Sequence, residues 1–430
     1  MTVHISPART LHGVVQVPGD KSISHRYAML ASLAEGDSRI YNYSTGADCH
    51  STLACMEQLG ITHESREENG RRVLIVHGKG LRGLEEPRQM LDAGNSGSTI
   101  RMLSGILSAQ PFTARIGGDA SLSKRPMKRI ITPLCQMGAR IEAVEDQYPP
   151  LLIHGSRLHA IDYELPVASA QVKSCILLAG LYAAGETTVR EPVQTRDHTE
   201  IALRELGADI TIEPRLVRIR GGSPLSAKTL VVPGDLSSAA FFIIAALIVR
   251  DADLLIPNVG LNPTRTALLD ILRGMGANIQ LTHIEEINGE LFGTLRVRSS
   301  RIRGGVIENG ATASVIDEIP VLSILGAVSE EGLLVRDAAE LRVKETDRIE
   351  TISENLRKMG IEVNTSADSI QIPGKQRFRA AEIDSYGDHR IAMAFSIAAL
   401  VADGECAIHG ASAASVSFPE FYSTLAQIAH

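Results

Sequence analysis

Two kinds of helical pattern take turns along this chain. In the first kind, apolar residues recur on one face and the run ends on a Leu-Gly or Met-Gly pair. Such stretches cover residues 51–59, 127–137, 198–206, 265–275 and 348–359, and they stop at Gly60, Gly138, Gly207, Gly276 and Gly360. A glycine just beyond the last apolar position supplies the left-handed residue that closes a helix. The second kind is apolar nearly all round and opens on polar residues. These openings lie near Asp20-Lys21-Ser22, Asn95-Ser96-Gly97-Ser98, Ser169-Ala170-Gln171, Asp235-Leu236-Ser237-Ser238, Asp317-Glu318 and Asp388-His389-Arg390. The first kind predicts surface helices and the second predicts buried ones.

The glycine stops are 78, 69, 69 and 84 residues apart, and strand-like residues follow each. A sixth amphipathic stretch, 418–428, ends the chain without following strands. The opening Val17-Pro18-Gly19-Asp20 returns as Val232-Pro233-Gly234-Asp235. The pattern predicts an α/β protein of six β/α units of about 70 residues, three in each of two halves. The boundary falls at 231–234, and the N-terminal strand is expected to join the second half. The expected domains are therefore 1–18 plus 234–430 and 19–233, with polar helix starts converging on a cleft between them.

Composition narrows the chemistry. The chain has 430 residues, 44% hydrophobic and only 4% aromatic, with no tryptophan, so the core must be aliphatic. Scarce aromatics and a net charge of −7 argue against nucleic-acid binding. The five cysteines form no C-x-x-C pair and fit a reducing compartment, giving an expectation of a cytoplasmic protein. Residues 1–10 lack a signal-peptide core. The near-unbroken apolar runs 239–249 and 391–401 span 11 residues each, too short for a membrane.

An acidic protein must meet anions with local cations, and the chain has such places. Pro18-Gly19-Asp20-Lys21-Ser22-Ile23-Ser24-His25-Arg26 joins a strand-like run to a helix start. There, unpaired backbone N–H groups and the helix dipole favour an anion. It lacks the spacing of a Walker loop. Gly94-Asn95-Ser96-Gly97 with Arg101 offers close backbone approach. Lys124, Arg125, Lys128 and Arg129 place four cations within six positions. Thr195-Arg196-Asp197-His198-Thr199-Glu200 opens an amphipathic helix with Thr195 or Asp197 as its cap. The fourth unit has no basic residue at its apolar helix start, which reads as a structural role. Arg342-Val343-Lys344-Glu345-Thr346-Asp347-Arg348 and Asp388-His389-Arg390 mix acids and bases, a pattern that on open surface contributes little.

Taken together, these stretches resemble the 5-enolpyruvylshikimate-3-phosphate synthase family. The matching residues run in family order from Pro18–Arg26 through Gly94-Asn95-Ser96-Gly97 with Arg101, Lys124-Arg125-Pro126 and Ser169-Ala170-Gln171 to Arg342–Arg348 and Asp388-His389-Arg390. The resemblance implies a two-domain inside-out α/β barrel in which each domain has three βαβαββ repeats. It implies transfer of the enolpyruvyl group of phosphoenolpyruvate to the 5-hydroxyl of shikimate 3-phosphate, through a tetrahedral intermediate, with no metal or cofactor, in a monomer. Catalysis would fall to Asp317 as base and to Glu345 and Lys21 for proton transfer. Lys21, Gly97, Arg125, Gln171, Arg348 and Arg390 would hold phosphoenolpyruvate. Lys21, Ser22, Arg26, Ser169, Ala170, Gln171, Arg196, Asp317 and Lys344 would hold shikimate 3-phosphate. Asn95, Arg101, Lys124, Asp388 and His389 would support them. Closure of the two halves on binding shikimate 3-phosphate is expected, because the expected site draws cations from both and like charges resist closure when it is empty. The resemblance implies sensitivity to glyphosate, since some tolerant relatives carry alanine where this chain has Gly97.

The chain departs from the best-known branch at Ala170, Glu340 and Val416, where that branch has serine, asparagine and lysine. The sister UDP-N-acetylglucosamine 1-carboxyvinyltransferase has a cysteine in a Gly-Gly-Cys run, whereas this chain reads Gly117-Gly118-Asp119. A non-catalytic anion-binding scaffold would leave Asp317 and Glu345 among the cations without a role.

Overall fold

A computed structural model describes residues 1–68 and 70–430 and contains the six units. One unit shows the repeat in full. Strand Leu91–Asp92 leads to helix Gly97–Leu107, strand Thr113–Gly117, helix Lys128–Gln136, and strands Arg140–Val144 and Tyr148–His154. The first two strands pair parallel, the fourth lies antiparallel beside the second, and the third is at the edge. The same order recurs in Asp162–Glu164, Glu186–Arg190, Leu216–Arg220 and Ile210–Glu213. It recurs again in Gly305–Ile307, Leu333–Val335, Ile370–Ile372 and Asn364–Thr365.

The chain divides into two compact units, one of Gly19–Val232 with Glu286–Glu290, the other of Met1–Pro18, Pro233–Glu285 and Leu291–His430. Each has its own hydrophobic core. In the first, strands Leu225–Ser226 and Thr229–Val231 return to pair with Ala34–Tyr41, so the last segment completes the first sheet. In the second, His12–Val14 pairs parallel with Asp253–Gly260. The sixth sheet is completed by Thr2–Ile5 lying antiparallel on Cys406–His409.

Six helices are buried along most of their length: Lys21–Leu33, Gly97–Leu107, Ala170–Gly180, Leu236–Ile248, Ile319–Val328 and His389–Ala399. Three pack together in the middle of each unit, with the sheets around them, as the all-round apolar pattern requires. Five of the six polar starts are side-chain caps; at the sixth, Glu318 stands at the cap position of Ile319–Val328 without a side-chain cap bond. Asp20, Ser96, Ser169, Asp235 and Asp388 each accept a backbone N–H of the first helical turn with a side-chain oxygen. The two longest apolar runs lie in Leu236–Ile248 and His389–Ala399, and no helix among the described residues is long and apolar enough to cross a membrane. The second core gains ring contacts among Phe241, Phe242, Phe418, Phe421 and Tyr422 at centroid distances of 5.1–5.9 Å.

The amphipathic helices end where expected. Gly60, Gly138, Gly207, Gly276 and Gly360 all have positive φ, between 77° and 99°. One expectation needs correction. Helix His198–Glu205 is not a surface helix along its length, because His198 through Leu203 are buried. Its first turn carries polar groups into the interior, where they find partners described below.

The start of helix Lys21–Leu33 is fixed by a close backbone approach. A Cβ added to Gly19 would stand 1.8 Å from the carbonyl oxygen of Asn42. Gly234 repeats the arrangement against the carbonyl of Asn258, at 3.0 Å. Gly19→Ala should therefore destabilise the protein by about 3 kcal/mol or more, through displaced backbone. Gly274→Ala, in a helix and with nothing within 4 Å of the new Cβ, should instead stabilise it by about 0.5 kcal/mol. Urea unfolding midpoints of the two variants would read both effects.

Candidate active site

In the unit built on Gly19–Val232, helix starts bring the expected cations together in two groups. The first surrounds Gly97, the first residue of its helix. A Cβ there would lie 3.0 Å from Arg101 Nη1 and 3.5 Å from Arg125 Nη1, so glycine is what lets both guanidinium groups sit against this turn. Arg101 Nη1 donates to Gln171 Oε1 at 2.6 Å, and Gln171 Nε2 donates to Ser98 Oγ at 3.0 Å. Arg125 Nη2 donates to Asn95 Oδ1 at 2.7 Å and Ser121 Oγ at 3.2 Å, and Asn95 Nδ2 donates to Asp119 Oδ2 at 2.8 Å. Lys124 closes the short helical turn Leu122–Lys124 just before Arg125. Lys21 Nζ, at the neighbouring helix start, is 3.0 Å from Asp48 Oδ2.

The second group surrounds Arg26. Its Nη1 donates to the Ser22 carbonyl at 2.8 Å, Nη2 to Ser174 Oγ at 2.8 Å, and Nε to Thr199 Oγ1 at 2.6 Å. Burial draws this guanidinium down to about 10, against the pull of Glu200 and Asp20, and Arg196 is close enough to act on it as a like charge. It stays protonated at neutral pH. Ser169 caps the helix that Ala170 begins, and Ser174 Oγ donates to the Ala170 carbonyl at 2.7 Å. Beside this group, burial holds His25 well below its ordinary range, and its Nδ1 lies 2.7 Å from Thr52 Oγ1.

The other unit gathers Asp317, Lys344, Glu345, Arg348, Asp388, His389 and Arg390. Arg348, 1% exposed, is the centre. Its Nε donates to Asp388 Oδ2 at 2.8 Å and its Nη2 to Glu345 Oε2 at 2.6 Å. Nη1 is buried without a hydrogen-bond partner, 3.7 Å from Asp317 Oδ1. Lys344 Nζ lies 3.8 Å from the same oxygen. Arg390 Nη1 donates to the Asp317 carbonyl at 2.9 Å, and His389 Nδ1 is 3.9 Å from Asp388 Oδ1. Burial would lower the Arg348 pKa, but Asp388, Glu345 and Asp317 outweigh it and raise it. Lys344 is lowered by burial, only partly offset by Asp317. These acids and bases are therefore not the open surface pairs that their alternation usually means.

Sequence reasoning missed several partners. The fourth unit does supply a cation to its helix start: Arg265 donates to Ser237 and lies 3.7 Å from Glu318 Oε1, which also accepts from Ser237. Asp48 carries no local sequence signal, and Thr199 and Lys173 lie within the stretches 195–200 and 169–174 without a partner that the sequence announces. Lys173 is 1% exposed between Glu191 and Glu200. Its signal was a lone charge in a helix otherwise apolar all round, a place where lysine occurs only when paired.

This arrangement has counterparts. The family model described as EPSP synthase (3-phosphoshikimate 1-carboxyvinyltransferase) matches residues 5–425. The chain belongs to the EPSP synthase family. A 3-phosphoshikimate 1-carboxyvinyltransferase of Solibacter usitatus is 63% identical over the whole of both chains. One from Koribacter versatilis is 51% identical over 99% of each. The solved EPSP synthase of Acinetobacter baumannii superposes with a TM-score of 0.87 at 42% identity, covering 100% of this chain and 98% of that one. The two-unit α/β architecture with βαβαββ repeats is thus that of EPSP synthases.

Asp388 sets the electrostatics around Arg348. Burial alone would raise its carboxyl, but Arg348 outweighs this and holds it below the usual range. A carboxyl depressed in the folded state contributes stability above its unfolded pKa, about 3.9, and loses it as pH falls through the folded value. Asp388→Asn should cost about 3 kcal/mol at pH 7, the penalty of a buried charge losing its partner. The deficit should shrink as pH falls below about 4. Urea titrations of both proteins across pH 3–8 would measure it.

Proposed function

We propose that the protein transfers the enolpyruvyl group of phosphoenolpyruvate to the 5-hydroxyl of shikimate 3-phosphate and releases inorganic phosphate. The observation that carries this reading is Asp317, a carboxylate between Lys344 and the Arg348 that also pairs with Glu345, in a chain related to 3-phosphoshikimate 1-carboxyvinyltransferases over its full length.

The reaction needs an acid and a base among fixed cations. The 5-hydroxyl oxygen attacks C2 of phosphoenolpyruvate while the CH₂ carbon gains a proton, giving a tetrahedral intermediate. That methyl then loses a proton, the C2–O bond to phosphorus breaks, and phosphate leaves. Asp317 takes the hydroxyl proton, and Glu345 with Lys21 carries the proton to and from the methyl carbon. Arg348 Nη1 brings an unsatisfied buried donor to the phosphoenolpyruvate anion, joined by Arg390, Lys21, Arg125, Gln171 and the Gly97 backbone. Ser22, Arg26, Ser169, Ala170, Gln171, Arg196 and Lys344 hold shikimate 3-phosphate. Fixed donors of this kind act most strongly where water is excluded. Nothing in the structure favours the UDP-N-acetylglucosamine enzyme: Asp119, where that enzyme carries cysteine, accepts the Leu122 N–H at 2.7 Å as a turn cap.

The protein should release phosphate from phosphoenolpyruvate with shikimate 3-phosphate and none with UDP-N-acetylglucosamine. Asp317→Asn should lower kcat by about 10²–10⁴-fold, the contribution of a positioned general base. A coupled phosphate assay reads all three. Absence of turnover with shikimate 3-phosphate, or an Asp317→Asn variant at full rate, would refute the reading.

A further inference from the structure

A buried charge cluster behind the Arg26 group takes no part in the chemistry described so far. Lys173 Nζ lies 2.9 Å from Glu191 Oε2 and 2.6 Å from Glu200 Oε1, with all three residues at least 94% buried. An ion cluster so deep is costly to desolvate and often adds no stability over apolar residues of the same size. What it does add is geometry. Lys173 sits two residues after Gln171 on helix Ala170–Gly180, and Glu200 sits in the first turn of helix His198–Glu205. Glu191 stands where strand Glu186–Arg190 ends and the loop leading to that helix begins. Its second oxygen accepts the Thr195 backbone N–H at 3.2 Å and the Thr195 hydroxyl. Arg196 is the next residue. The two helices are joined again one position along, where Ser174 Oγ and Thr199 Oγ1 are 2.6 Å apart and both accept from Arg26.

We infer that Lys173 and Glu191 are positioning residues for the shikimate 3-phosphate subsite: the Lys173–Glu191–Thr195 linkage fixes the loop that presents Arg196 against the helix start Ser169-Ala170-Gln171. The cluster also balances charge. Two carboxylates face Lys173, and Glu200 acts on Arg26 as the largest attraction opposing its burial. Lys173 and Arg26 are thus set against Glu191 and Glu200, which helps to keep Arg26 charged.

The inference rests on the proposed assignment of Arg26, Arg196 and Ser169–Gln171 to shikimate 3-phosphate, and the experiment separates the two. Steady-state kinetics with phosphoenolpyruvate and shikimate 3-phosphate are compared for the unchanged protein, Glu191→Gln, Arg196→Gln and the double variant. Glu191→Gln should raise KM for shikimate 3-phosphate about tenfold while kcat and KM for phosphoenolpyruvate stay within about twofold, as misplacement of one binding group would give. The Arg196→Gln and Glu191→Gln effects should be less than additive, since one acts through the other. If Glu191→Gln does not purify folded, Thr195→Val, which keeps both ion pairs, carries the same expectation. Equal losses in both KM values and kcat, or fully additive effects, would overturn the inference and leave the cluster a structural one. No turnover by the unchanged protein would instead refute the functional reading.

Discussion

A guanidinium that is 1% exposed has to be matched by fixed anions, and Arg348 imposes that constraint on its whole neighbourhood. Three carboxylates from three segments answer it: Asp317 before a buried helix, Glu345 in the preceding loop, and Asp388 at the cap of another helix. Asp388 does two jobs with one side chain, since Oδ1 also accepts the Arg390 N–H at 2.8 Å and so caps the helix whose first turn carries Arg390. The loop from Arg342 to Arg348 is held from its other end by Arg342, whose guanidinium donates to the carbonyls of Ser366 and Ala367 and to Asp347. The carboxylates and cations proposed for the chemistry thus come preorganised by one another, which is the state in which electrostatic catalysis costs least reorganisation.

The other unit meets the same difficulty with hydroxyls and a second ion cluster. Arg26 is buried on Ser174, Thr199 and the Ser22 carbonyl, with Lys173, Glu191 and Glu200 behind it. The repeat explains why such places exist at all. Each unit centres on three buried helices, and each helix start must satisfy unpaired N–H groups. A capping side chain does this, and the adjacent turn is left with positive potential that a ligand anion can use. The fourth unit shows the same architecture with its cation paired inside the protein, where Arg265 donates to Ser237 and Ser237 donates to Glu318.

Much of the fold was legible because it rests on local signals. Glycine stops after apolar periodicity and capping residues before all-apolar runs are properties of a few neighbouring positions, and every one of those helices is present. The six-fold repetition multiplied weak signals into an architecture. The motif cations were legible for the same reason, since Lys21, Arg125, Arg348 and Arg390 sit at or beside helix starts. What was not legible was pairing over distance. Nothing near Lys173 in sequence announces Glu191, and nothing near Ser237 announces Arg265, because those contacts exist only once separate helices are packed. The burial of the first turn of His198–Glu205 belongs to this class: its amphipathic spacing is that of a surface helix, but its polar face lies against Arg26 and Lys173.

In the proposed reaction Glu345 with Lys21 carries a proton to and from one carbon, the methylene of phosphoenolpyruvate. Hydrogen exchange at that carbon tests it most directly. The reaction of phosphoenolpyruvate with shikimate 3-phosphate is run in D₂O, stopped before completion and read by proton NMR. Addition followed by elimination passes through a methyl group holding one solvent-derived hydrogen, so deuterium should appear in the methylene of the product and of recovered phosphoenolpyruvate. Product formed with an undeuterated methylene would contradict the account.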